Sequence, residues 1–387
     1  MRVADRAVAR NYLKYFHKAQ GKYMETNQRI ASGNRFTKLS DDVSAGARVL
    51  RSRMDRYKAE KQLENTKEAN DELRIAEDAL TSINTLIMII HEQKVVKAKN
   101  DPTSDEGRKI IAQEIRAMMD EIVQHANAKY GNKFSFGGTN GFIAPFSVDD
   151  ATGKLLYNGI DFDKMSVHPD SGKIVYDNGV DYELEYLKDA NGDYIFDPVT
   201  GERQPLLDPV TNDPILRRGD KGMLIPTTLV PMDKELYFDI DLGIKMNGPR
   251  IVSDTAFKVS YSGPEVFGFG VDDDGVSNNV YNVILNVMKN IDNYDLEELE
   301  LWDNKLIKLM DVFRRNLTDI GVKTQYLWDT EKRLEDKIDQ HTAKIYDMMG
   351  VDDAEEATNQ MMNDYVLKAI LQMGSRILPL SLMDFIR

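Results

Sequence analysis

The chain has 387 residues, 42% of them hydrophobic and 29% charged, with a formal net charge of -14 and no cysteine. That length favours two or more folded parts over one core, and the balance of apolar and charged residues is that of a folded protein, not a disordered one. The acidity argues against nucleic-acid partners, which bind through phosphates neutralised by Lys and Arg; the missing cysteines exclude disulfides and thiolate chemistry, and no apolar run approaches the ~18 residues of a membrane span.

The first block, 1–31, reads as a helix with Val3, Val8, Tyr12, Tyr15, Phe16, Ala19 and Tyr23 near one side. Opposite them Arg2, Arg6, Arg10, Lys14, Lys18 and Lys22 place a base at every fourth position. A step of four slightly exceeds one helical turn, so this line winds around the helix and can meet acidic groups on more than one neighbour. A solvated face or a membrane-surface helix are the competing readings. The basic start lacks the continuous apolar core of a cleavable secretory signal, so export would need another route.

SGNRFTKLSDD, 32–42, stops the helix: Gly33 and Asn34 tolerate left-handed backbone angles, and Ser40 or Asp41 can cap the next helix. Gly33, Asp41 and Asp42 are the candidate joint between helical elements. From 43 to 99 the pattern is helical and long, with Leu73, Ala76, Leu80, Ile83, Ile87 and Ile90 stepping by three and four. Asp101 and Pro102 break this rod, and Ser104, Asp105 and Glu106 suit the start of a returning helix edged by Ile111, Ile115, Met118 and Ile122.

Between about 140 and 275 the texture changes to alternating apolar and polar runs, punctuated by Asn-Gly at 158, 178, 191 and 247, a strong hairpin signal. The near-repeat DPVTGERQPLLDPVTNDP reads as successive turns in an exposed loop. Farther on, Leu299, Leu306, Phe313, Ile320, Leu327 and Leu334 recur every seven residues. The expected fold is therefore mainly α with an inserted β domain: a long antiparallel helical bundle of N- and C-terminal segments, plus terminal coiled-coil helices. Its parts are 1–40 with 351–387 for assembly, 41–139 with 276–350 for the bundle, and 140–275 as a β-rich outer domain.

No constellation in the chain carries chemistry. His17, His91, His125, His168 and His341 are scattered, and HEQKV at His91 lacks the second histidine of a zinc-protease helix; helical His91, His125 and His341 read as edge residues of the bundle. FGGTNG does not match a phosphate loop, and DDDG at 272–275 falls out of register with a calcium loop. No catalytic, cofactor or metal site is expected, and an enzyme is the weakest of the functional classes.

The last block opens acidic with Asp352, Asp353, Glu355 and Glu356 and runs through Met361, Tyr365 and Ile370 into RILPLSLMDFIR. Ordering the first thirty residues costs on the order of 1 to 2 kcal/mol each, and each large apolar side chain buried returns about 1.5 to 3. So few apolar residues need partners on both faces. The C-terminal block is the natural intramolecular one, its acids facing the basic line. The tip beyond Leu378 then needs another copy or another protein. The candidate assembly interface is Val8, Arg10, Tyr12, Lys14 and Phe16 with Ile370, Leu378, Leu380, Leu382 and Phe385.

These features resemble the flagellin superfamily, and within it the hook-filament junction family, hook-associated protein 3. SGNRFTKLSDDVSAG is similar to that superfamily's Ser-Gly, basic residue, Ser-Asp-Asp-Pro joint, with Val43 where proline usually stands. KFSFGGT resembles the junction family's ending of the second helix, whereas the Phe-Asn-Gly and LSSGLRIN of flagellins are absent. DDDGVSNNVYNVILNVMKNI resembles its entry to the last long helix, and SLMDFIR its Ser-Leu-Leu-Asp-Tyr-Leu ending. The resemblance implies an extracellular structural protein of the bacterial flagellum, exported unfolded by the flagellar apparatus without signal cleavage. Its implied partners are copies of itself in a ring, the first hook-associated protein, flagellin, and an export chaperone at the C-terminus, with no nucleic acid and no membrane. Flagellin itself and an adhesive protein acting through the β domain are the alternatives.

Overall fold

The computed structural model describes residues 2–36, 38, 40–100, 104–137, 143–189, 194–196, 202–208, 214–219, 223–230, 237–247, 250–251 and 255–377. They fall into two compact units, one of 1–63 with 332–387 and one of 64–331.

In the first unit, α1 (Arg2–Ser32) and α8 (Asp353–Ile377) pack together. This unit also holds the first part of α2 (Val43–Ile89) and the end of α7 (Leu296–Met349). Phe36, Ala45, Val49 and Met349 form a small core where these segments meet the turn after α1.

In the second unit, α2 passes through a π-helical turn, Ile90–Val95, into α3 (Val96–Asn100). The helical reading of 43–99 holds, with a π-helical turn within it that the sequence did not reveal. The looser turn places His91 against Asp303 on α7, with Nδ1 2.8 Å from Oδ1, and Lys99 bonds the other carboxylate oxygen at 2.9 Å. Two donors hold a carboxylate that is nearly buried, which makes His91 the bundle-edge residue expected from sequence. α4 (Asp105–Ala126) starts on Ser104, whose hydroxyl accepts from the Gly107 N–H at 3.3 Å.

The heptad readings hold residue for residue. Leu73, Ala76, Leu80, Ile83, Ile87 and Ile90 are buried, as are Leu299, Leu306, Phe313, Ile320 and Leu327 in this unit and Leu334 in the other. On α4, Ile111, Ile115 and Ile122 are buried; Met118, expected with them, is half-buried and its neighbour Met119 takes the core position.

Between α4 and the short α5 (Gly263–Phe267) lies the β-rich insert. Its strands are β1 (Lys129–Tyr130), β2 (Lys133–Phe134), β3 (Phe146–Val148), β4 (Leu155–Tyr157), β5 (Ile160–Asp161), β6 (Met165–Val167), β7 (Ile174–Tyr176), β8 (Tyr237–Phe238), β9 (Met246–Asn247), β10 (Arg250–Ile251) and β11 (Phe257–Lys258). The sheets they form are antiparallel: β1–β2, β3–β4–β5, β6–β7, β8–β11 and β9–β10. The Asn-Gly expectation is met at 158, where Asn158 (φ 50°) and Gly159 (φ 80°) join β4 to β5. At 178 the pair makes a turn stabilised by the Asn178 side chain, and 191 lies outside the described residues. Phe146 packs with Tyr157, Phe162 and Phe267 of α5, and Phe267 in turn with Phe313 of α7. They share one cluster with buried side chains of α4 and α6 (Val280–Asn293).

The described residues between 181 and 227 form a ladder of single bridges, Tyr182 with Pro226, Leu184 with Leu216, and Tyr186 with Pro205. The main-chain hydrogen bonds close into rings of three. Leu187 N–H bonds Gln204 C=O, Gln204 N–H bonds Ile195 C=O, and Ile195 N–H returns to Leu187 C=O. Glu185, Ile215 and Leu206 repeat the ring, and so do Glu183, Ile225 and Arg217. The loop expected around the DPVT repeat is, in its described residues 202–208, part of this ladder; the DPVT turns themselves at 197–200 lie outside the described residues, as do 209–211 of the second copy.

Candidate assembly interface

The paired terminal helices hold the candidate residues. Ala19 is buried on α1, while Tyr12, Phe16 and Tyr23 are half-buried and Val8 and Tyr15 exposed. Tyr12 and Phe16, one turn apart, stack with ring centroids 6.3 Å apart. Val8, Tyr12 and Tyr15 of α1 and Ile370 and Met373 of α8 line a cleft of about 410 Å³. Gly374 lets the helices close here, because a Cβ in its place would run into the Tyr12 hydroxyl.

Farther along, the contact is polar. Asn363 donates to the Thr26 hydroxyl at 2.8 Å, and Gln360 to the Asn27 side-chain oxygen at 2.5 Å. Arg29 bonds Glu356 at 3.1 Å and Glu25 at 2.7 Å. Sequence reading missed these pairs. Their signal is a run of Thr, Asn and Gln at positions where an apolar seam would continue.

Among the described residues, the expected meeting of the basic line with the C-terminal acids is not seen for Arg10, Lys14, Lys18 and Lys22; the side chains of Arg2 and Arg6 lie outside the described residues. Arg10, Lys14, Lys18 and Lys22 are exposed and form no ion pair with the described residues. The one α1–α8 ion pair among those residues uses Arg29, which lies off the line. The winding of a four-residue step carries the bases away from the partner helix.

The joint is built by backbone. Gly33, at φ 65°, accepts through its C=O from the Val351 N–H at 3.1 Å, and Arg35 N–H bonds Met349 C=O at 2.7 Å. Asp42, not Ser40 or Asp41, caps α2: its Oδ1 accepts from Ala45 N–H at 2.9 Å while Oδ2 pairs with Arg35 at 3.1 Å. Asp41 instead accepts from Lys38 N–H at 3.2 Å within the turn. Val43 is the first residue of α2 and its side chain is exposed, so the position filled by proline in the resembling motif imposes no strain here.

A face of this helix pair has no partner among the described residues. Met361 and Tyr365 of α8, one turn apart, are 76% and 75% exposed, and Met362, Leu371 and Met373 extend the apolar surface. Leu378, Leu380, Leu382 and Phe385 lie outside the described residues. Among the described residues, no group of three or more His, Cys, Asp or Glu side chains could hold a metal ion, and no helix is long and apolar enough to cross a membrane.

Residues 3–141 match the bacterial flagellin N-terminal helical region. Flagellar hook-associated protein 3 of Salmonella typhimurium LT2 is 28% identical over 155 residues, 40% of this chain and 48% of that one. Its Escherichia coli K12 namesake is 25% identical over 202 residues, 52% and 58% of the two chains. The matched segments thus span about half the length of these curated relatives. Among solved structures, hook-associated protein 3 of Legionella pneumophila is 17% identical and aligns over 76% of this chain and 97% of its own with a TM-score of 0.42. Over its N-terminal third the chain thus matches the flagellin helical region, and its curated relatives are named as hook-associated protein 3, to which the chain is similar.

Proposed function

We propose that the chain is a structural adaptor of the bacterial flagellum, a ring of copies that joins the hook, through the first hook-associated protein, to the flagellin filament. The unpartnered apolar face of the α1–α8 pair carries this reading: monomeric proteins rarely leave so large an apolar surface uncovered unless a partner takes it. In this reading 1–40 with 351–387 make the contacts between copies, 41–139 with 276–350 support them, and 140–275 face outward. Subunits in a ring between two different neighbours need different surfaces above and below, which a head-to-tail arrangement supplies. A chaperone covers the C-terminal segment before export.

The test is growth on isolated hooks already bearing the first hook-associated protein. Purified chain should add a layer of fixed stoichiometry and stop, and flagellin should then polymerise on it. Continued filament growth from this chain alone would replace the adaptor reading with that of a filament subunit.

A further inference from the structure

In the second unit, α4, α6 and the turn between β3 and β4 border a cleft of about 270 Å³. Tyr281, in the first turn of α6, lines it and is 3% exposed. Its hydroxyl makes no hydrogen bond with any described residue, although hydroxyls buried to this degree are normally bonded. Burial pushes the phenol up to about 12, with Asp120 raising it further and Arg116 opposing. The group is therefore an O–H donor at neutral pH, within electrostatic reach of both charges, which line the same cleft.

Arg116 and Asp120 stand one turn apart on α4, about 5–6 Å between Cβ atoms. Neither forms an ion pair or hydrogen bond with a described residue, and they do not pair with each other. The rest of the rim does not tip this balance. Lys289 and Asp150 add one charge of each sign, with Lys289 bonded to Thr152 C=O at 3.4 Å. The Asp149 carboxylate is already taken up by the Ala151 and Thr152 N–H groups at 3.4 and 3.2 Å. Apolar lining comes from buried Met119 and Leu285 and half-buried Met288.

We propose that this cleft binds a free α-amino acid with an apolar side chain, its carboxylate on Arg116 and the Tyr281 hydroxyl and its ammonium on Asp120. A ligand of a single charge meets a repelling group beside its attracting one, whereas a zwitterion satisfies both. The bonds to its carboxylate are charge-assisted, the strong kind. A volume below the ~300–1,000 Å³ of drug-sized sites suits one amino acid, with Met119, Leu285 and Met288 against its side chain. A peptide end or a single side chain of another protein brings only one of the two charges.

The test is isothermal titration of leucine into the full-length chain. Saturable binding is expected, weakened at least tenfold for N-acetyl-leucine, which lacks the ammonium, and for leucinamide, which lacks the carboxylate. Tyr281→Phe removes a hydroxyl that bonds no described residue, and Arg116→Gln and Asp120→Asn alter exposed side chains that form no ion pair with the described residues. Each should weaken leucine binding at least fivefold with the circular dichroism spectrum and thermal midpoint unchanged. The absence of saturable leucine binding would overturn the proposal. Equal binding of N-acetyl-leucine would make this an anion site, equal binding of leucinamide a cation site, and either would overturn it. So would leucine binding that the three variants leave undiminished.

Discussion

Asp42 and Val43 sit side by side at the joint and do opposite things. Asp42 supplies the side-chain acceptor for the first turn of α2 and an ion pair to Arg35, whereas Val43 supplies only a helical φ at a position whose N–H needs no partner inside the helix. Asp42→Ala should therefore cost about 1 kcal/mol, within the ~0.5–2 kcal/mol usual for a lost cap, seen as a lower midpoint in thermal unfolding. Val43→Pro should leave that midpoint unchanged or raise it. Sequence placed the cap one or two residues early because Ser40, Asp41 and Asp42 all carry good capping oxygens. What selects among them is Arg35, held by its N–H on Met349 C=O more than three hundred residues away in sequence, and no local pattern reveals that.

At the scale of elements, legibility followed period. The seven-residue repeat of α7 stands in the sequence because each position meets the same environment. Leu327, buried against Ala69, Leu73 and Val259, should lose about 2–5 kcal/mol as Leu327→Ala, measured by denaturant unfolding. The ladder between 181 and 227 hid behind its prolines, which sequence reading takes as turns. Pro205, Pro214 and Pro226 instead occupy the bridge positions between ring residues, where the N–H would point out of the ring, so proline removes no bond there. Ring positions differ: Ile215 N–H bonds Leu206 C=O. Ile215→Pro should open its ring and speed amide exchange at Glu185 and Leu206, measured by hydrogen-exchange NMR. Equal protection in the variant would mean the rings contribute nothing to the stability of this ladder. The π turn at Ile90–Val95 was equally hidden, because the pairing of His91 and Lys99 with Asp303 that accompanies it is a contact between distant segments.

For the whole molecule, the question is whether the exposed terminal face is stability or function. The two roles separate by substitution. Met361 and Tyr365 lie three-quarters exposed on α8, so their side chains give little to the monomer, and exposed substitutions usually change stability by no more than about 0.5 kcal/mol. Met361→Asp with Tyr365→Asp should then leave the helical circular dichroism signal and the thermal midpoint of the free chain as they were. Put into an assembly, the same pair sets two carboxylates against a buried apolar contact, where an unpaired charge is costly. Loss of binding to hooks bearing the first hook-associated protein, by ten-fold or more, is the expected result in a sedimentation assay. Leu334→Ala supplies the contrast: it weakens the core of the helices, lowers the midpoint, and should still allow binding at temperatures where the chain is folded. If the aspartate pair bound hooks bearing the first hook-associated protein as well as the unmodified chain, the face would be exposed for some other reason, and the proposed contact would move to another surface of the terminal helices, with Arg10, Lys14, Lys18 and Lys22, which form no ion pair with the described residues, the next to be substituted.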